Sequence, residues 1–296
     1  MEKEILATTP VNTMEETNIS LKKREKGEKA KKAVALTFVW VMLIVMYLPI
    51  MYLIIYSFTD AKVIGQWNGF NFDCYTTLFN GKNVYAKEIW EATWNTVWVA
   101  IVASTLSTLL GTAGAIGMHF LGKKLKTVFN FANEIPIVNA EIVMALSLCI
   151  LFAFLRLPTS AFSLIIGHMV LTIPFVVINV QPKLEQMDPS LYEAAMDLGA
   201  SRSGALFKVM VPDLLPGIFS GFMISMTLSL DDFVITEFTK PSDGVDFQTI
   251  STYVQGTLAK GSVPIQIRSF TTLIFVLIVA VMIGYTIVNN RKAKKI

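Results

Sequence analysis

Histidine and cysteine are nearly absent, with two of each in 296 residues. His119 and His168 stand singly in or near apolar stretches, and Cys74 and Cys149 lie far apart. That scarcity excludes a disulfide framework and a cluster of His and Cys metal ligands. Neither a GxxxxGK[ST] phosphate loop nor an HExxH helix occurs, and no set of catalytic side chains converges in the pattern. No catalytic residue, metal ligand or bound cofactor is therefore assigned to this chain. Charge is scarce too: Asp, Glu, Lys and Arg make up 16% of residues, against about 25% in soluble domains. The alternating strand-length pattern of an outer-membrane barrel is missing as well. Apolar residues fill the chain instead, at 53%, and mark an all-α membrane protein.

The apolar residues are gathered into runs. A bilayer core takes about 20 apolar residues in a helix, and backbone groups in lipid must be satisfied within the segment. Six spans are expected, over about 33–58, 96–121, 135–155, 160–181, 214–238 and 269–290. The first contains Pro49, where a kink is expected. Residues 1–32 hold no packable apolar run and end in LKKREKGEKAKK, which predicts a disordered basic tail at a membrane surface. The first run is too long for a signal peptide. A loop at 182–212 and a short basic end at 291–296 complete the division around a six-span domain, 33–290.

Loop charge sets the orientation, because Lys and Arg collect on the cytoplasmic side. Residues 21–32, the Lys123/Lys124/Lys126 cluster, the 182–212 loop and the end carry 17 basic residues. The alternate loops carry 7: Lys62, Lys82, Lys87, Arg156, Lys240, Lys260 and Arg268. Both termini and the 182–212 loop are thus expected in the cytoplasm, and no nucleic-acid partner is expected. Gly111, Gly114 and Gly117 place small residues along the second span, where helices can approach closely. Trp94 and Trp98 fit an interfacial belt.

The 182–212 loop is a polar island with helix punctuation. Leu184, Met187, Leu191, Ala195 and Leu198 recur at steps of three or four, as on one face of a helix. Asp188 is placed to cap a helix with Pro189 at its first position. Gly199 suits a left-handed terminus, Ser201 a second cap, and Pro212 a stop.

Glu193-Ala194-Ala195, three residues, Gly199, nine residues, then Val209-Met210-Val211-Pro212 resembles the EAA signature of ABC-importer permeases, with valines in place of the pattern's Ile and Leu. HMVLTIPFVVINV (168–180), MDPSLYEAAMDLGAS (187–201) and SLDDFVITEF (229–238) narrow the resemblance to the PotC-type permeases of spermidine/putrescine importers. It implies the type I permease fold of ABC importers, with Glu193, Ala194, Ala195 and Gly199 at the centre of a helix coupled to an ATPase. It also implies a second permease subunit, an ATPase dimer that holds ATP and Mg, and an extracytoplasmic polyamine-binding protein. The external loops, 59–91 and 239–268, are the expected surface for that binding protein. Alternatives are another small solute in the same kind of importer, or an ion-coupled secondary transporter. The latter predicts an inverted repeat with matched broken helices, which the sequence does not display.

Asp231 and Asp232 interrupt the fifth apolar run, and ionisable residues within a span are costly and mark pathways. They follow Pro216 by 15 and 16 residues, roughly 22–24 Å along a helix, toward the outer half. Adjacent helical residues point about 100° apart, so one of the two is expected to face a substrate path. The other reading puts the pair at the outer end of a short span, facing water or capping a neighbour. Glu141, at the start of the third span, is read as pairing with a polar group or reaching the interface, ahead of a gating role. His168 is read as hydrogen-bonding a neighbouring helix, ahead of a proton relay.

Overall fold

A computed structural model describes residues 10–61, 66–80, 83–241, 247–260 and 264–293. Every regular element among them is helical. Five helices are long and apolar enough to cross a membrane, and a bent pair brings the number to six if it counts as one span. The chain divides into two compact units, Met1–Tyr75 with Arg268–Ile296, and Thr76–Ile267.

The first unit holds α1 (Pro10–Tyr56) and most of α12 (Ile265–Ala293). Helix begins at Pro10, so the expected disorder of 1–32 does not hold for its described part. Glu, Lys and Arg are good helix formers, and the span that follows supplies a helix to extend; residues 1–9 lie outside the described residues. From Lys31 to Tyr56 the apolar side chains face outward, as a lipid-facing helix requires. In the expected external loop, 59–91, the described residues up to Tyr75 pack closely with the end of α1. Ser57 and Tyr75 hydroxyls meet at 2.7 Å, Cys74 Sγ donates to the Thr59 carbonyl, and Phe58, Phe70, Phe72 and Tyr75 stack as a cluster. Arg268, fully buried, donates from Nη1 to the Ala61 carbonyl at 2.9 Å.

The second unit is built on three mutually packed helices, α3 (Val84–His119), α6 (Ala161–Gln186) and α9 (Val211–Asp231). Their centre is Val176. A Cβ added at Gly111 would lie 2.8 Å from the Val176 side chain, and one at Gly221 would lie 3.2 Å from it. Two glycines on different helices thus let both backbones close on one valine. Gly114 and Gly117 face open space, so the small-residue stripe does its packing at Gly111 alone. We expect Gly111→Leu to destabilise the purified subunit by about 1–3 kcal/mol through overpacking, and Gly114→Ala to leave its thermal midpoint unchanged. Equal midpoints for the two variants would remove the helix triad as the reason for Gly111.

Two expected spans are broken. Residues 135–155 are the end of α4 (Lys123–Val138) and all of α5 (Glu141–Phe154), which bend by 105° at Asn139–Ala140. Both linking residues are extended, and Pro136 inside α4 removes a ladder donor just before them. Glu141 is exposed in the first turn of α5. The 214–238 span ends as a helix at Asp231 and restarts as α10 (Val234–Thr239). α5 and α10 pack on α6 through Met144, Leu148, Leu171 and Ile235.

At one end of this unit Lys126 reaches Glu185 at 3.1 Å, so the basic 123–126 turn lies beside the start of the 182–212 segment. At the other end, the described part of the 239–268 loop folds back on α3. α11 (Ile250–Ala259) sends the Tyr253 hydroxyl to Glu88, and the Ile250 amide donates to Thr96.

Candidate functional site

The 182–212 segment is two short helices joined at a left-handed glycine. Asp188 Oδ1 accepts from the Ser190 amide at 2.9 Å and starts α7 (Pro189–Asp197). That bond holds the Asp188 carboxyl below its ordinary range. Gly199 has φ +90, and the Gly199 and Ala200 amides close on the carbonyls of Met196 and Ala195. Ser201 Oγ accepts from the Gly204 amide and starts α8 (Arg202–Ala205). These caps are where the sequence puts them.

Pro212 does not stop the second helix. α8 runs through a π-turn, Leu206–Met210, into α9. The Val211 amide reaches back five residues to Leu206, and this wider turn accommodates a ring that has no N–H and would crowd a tighter one. The segment is therefore continuous with a membrane helix on both sides, through a two-residue turn at Met187–Asp188 before it and the π-turn after it.

The single apolar face expected from Leu184 to Leu198 is split. Leu184 and Met187 are buried in a cluster with Val180, Met210 and Leu214, and Tyr192 packs against it. Leu191 is exposed, and Leu198 is 90% exposed. The turn at Met187–Asp188 breaks the helical period, so spacing across it carries no face information. Glu193, Ala194 and Gly199 point outward with Leu198, while Ala195 is half-buried. Leu191 and Leu198 are the residues that spacing misassigned, and for Leu198 its position beside the left-handed glycine was the available signal. Behind α7 an open apolar groove of about 710 Å³ is lined by Ile116, Phe120, Tyr192, Leu206 and Phe207 among others, which leaves α7 lightly braced on that side.

The acidic pair separates at the α9–α10 break. Asp231, the last residue of α9, is exposed. Asp232 is 7% exposed. Its Oδ1 accepts from the Ile235 amide at 3.1 Å, and its Oδ2 accepts from the Thr236 amide and hydroxyl, each at 2.8 Å. A buried carboxylate is tolerable when such donors surround it. His168 on α6 is 1% exposed. Its Nδ1 lies 2.8 Å from Ser229 Oγ on α9, and its Nε2 lies 3.0 Å from Thr236 Oγ1 on α10. Thr236 has one hydroxyl proton and donates it to Asp232, so His168 donates to Thr236 from Nε2, and in the neutral ring so assigned Nδ1 accepts from Ser229. A directed chain results: Ser229 to His168, His168 to Thr236, Thr236 to Asp232. Glu237, further along α10, pairs with Lys240 at 2.8 Å. Among the described residues no three His, Cys, Asp or Glu side chains are placed to hold a metal ion.

Several membrane-length helices, a capped two-helix segment and a broken, acid-bearing helix define a helical multi-span membrane protein. A profile of the binding-protein-dependent transport system inner membrane components matches residues 27–294. The chain is 30% identical over 257 residues to the spermidine/putrescine transport system permease protein PotC of Haemophilus influenzae, covering 86% of this chain and 95% of the relative. It is 29% identical to the protein of that description from Escherichia coli K12, over 84% and 91%. It is 29% identical to the putrescine transport system permease protein PotI of E. coli K12, over 77% and 81%. Among solved structures, a bacterial ABC transporter involved in import of the acidic polysaccharide alginate has a chain that superposes with TM-score 0.61 at 17% identity, covering 89% of this chain and 97% of that one. This chain belongs to the family of binding-protein-dependent transport system inner membrane components. It is a transport subunit of the cytoplasmic membrane, crossing it several times.

Proposed function

We propose that the chain is one permease subunit of an ATP-binding-cassette importer that carries polyamines of the spermidine and putrescine kind into the cell. The observation that carries this reading is similarity to spermidine/putrescine permeases along nearly the whole chain. A second permease subunit, an ATPase dimer holding ATP and Mg, and an extracytoplasmic polyamine-binding protein complete the machine. Both termini and the 182–212 segment face the cytoplasm, as the bias of basic residues favours. α7 and its left-handed turn dock on the ATPase, with Glu193, Ala194, Ala195 and Gly199 at the centre and Leu198 as an apolar contact. Asp231 lies along the path of the cation, and Asp232 sets the helix break that presents it.

The test is reconstitution in liposomes with radiolabelled spermidine and putrescine. Uptake is expected only when the ATPase subunit, internal ATP, the second permease and the binding protein are all present. Uptake by this chain alone under an ion gradient would instead establish a secondary transporter. ATP-driven transport that ignores polyamines and follows another solute of the binding protein would keep the class and overturn the substrate.

A further inference from the structure

We infer that His168 is a positioning residue that ties both sides of the α9–α10 break to α6, so that motion entering α6 at the coupling segment reaches Asp231. This inference rests on the proposed coupling role of α7. At the break, Asp232 and Phe233 interrupt the helical ladder, so side chains must set the angle between the two helices. One imidazole bonds a hydroxyl on each: Ser229 before the break and Thr236 after it. A second set of contacts seats α10 on the same face of α6. Ser163 Oγ donates to the Thr239 carbonyl at 3.0 Å, and a Cβ at Gly167 would lie 2.7 Å from Ile235.

α6 is one continuous helix from Ala161 to Gln186. His168 is thus separated from the Met187–Asp188 turn by about 27 Å of helix, unbroken although Pro174 and Pro182 lie within it, and α7 begins directly after that turn. A displacement of α7 that moves the end of α6 is passed along this helix to the imidazole. The imidazole in turn carries the end of α9, where Asp231 is exposed, and the start of α10. A histidine that served only to fill space would need neither partner, and Ser229 would satisfy its hydroxyl on its own helix, as Thr227 does.

The experiment uses the complete complex with the binding protein, in a background where Cys74 and Cys149 are serine, and reads the labelling of this chain, whose single cysteine is then supplied by Asp231→Cys. The readout is the modification rate of that cysteine by a charged, water-soluble thiol reagent, without nucleotide and with ATP trapped by vanadate. The parent is expected to change its rate between the two states by roughly fivefold or more, the size of an ordinary coupling between sites. His168→Ala should shrink that change to less than twofold, and Thr236→Val, which keeps the volume and loses both the acceptor for His168 and the donor to Asp232, should do the same. His168→Gln reaches the Nε2 position and His168→Asn the Nδ1 position, so each is expected to recover part of the change. ATP-dependent change of equal size in the parent, His168→Ala and Thr236→Val would overturn the tie while leaving the coupling reading intact. No change in the parent would overturn both. Thr236→Val decides the matter should His168→Ala fail to assemble.

Discussion

Gly199→Val should lower ATP-driven uptake by about tenfold, whereas Gly199→Asn should retain most of it. The backbone at Gly199 has φ +90, and a Cβ there would meet nothing within 4 Å. Space is therefore not the constraint; the conformation is. An L-residue held in the left-handed region costs about 1–2 kcal/mol, least for Asn, whose short polar side chain compensates locally, and a β-branched residue is the worst case. Since 1.4 kcal/mol corresponds to about tenfold, valine should redirect the chain at the α7–α8 junction and misplace Leu198. Leu198→Asp provides a companion test. At 90% exposure its loss should leave the thermal midpoint unchanged, while recovery of the ATPase in pull-downs drops by about 30-fold, as for an interface anchor of about 2 kcal/mol. If Gly199→Val transports at the parent rate, the left-handed turn is not needed for coupling. Equal ATPase recovery with Leu198→Asp would move the docking contact elsewhere.

The two acidic residues should behave oppositely. Asp232→Ala removes the acceptor of two backbone amides and one hydroxyl, and lost caps cost about 0.5–2 kcal/mol. The thermal midpoint and the uptake rate should fall together. Asp231→Asn touches an exposed side chain and should leave the midpoint and ATPase recovery unchanged. Its half-saturating substrate concentration should rise by about tenfold, because a charge-assisted contact to a cationic substrate is replaced by a neutral one. Measuring both variants in the same reconstituted complex separates the roles. Unchanged uptake kinetics for Asp231→Asn would leave this residue simply solvent-facing, and an unchanged midpoint for Asp232→Ala would contradict its capping role.

Much of the candidate site was legible because its signals are local. Asp188 and Ser201 bond amides two and three residues away, and Gly199 needs only its own φ. Residues whose roles depend on distant chain were read less well. Leu198 shares a helical period with Leu184, yet the turn at Met187–Asp188 lies between them and sends one inward and the other out. Pro212 looked like a stop because a proline in an α-turn usually is one, and the π-turn that accommodates it leaves no mark in composition. His168 was correctly expected to hydrogen-bond across helices, but its partners, Ser229 and Thr236, lie 61 and 68 residues away.

Hydropathy and local spacing suffice to mark a helical membrane protein, roughly where its spans lie, and the capped helices of the 182–212 segment. Hydropathy acts over the length of one helix, and caps act over one turn, so neither needs a partner from elsewhere in the chain. Tertiary contacts settle that Gly111 packs while Gly114 does not, that the third and fifth spans are broken, and that Asp231 is exposed while Asp232 is buried. Those outcomes depend on which helices meet. The break at Asp232 is stable because Thr236 and His168 complete its hydrogen bonds, and His168 arrives on a different helix.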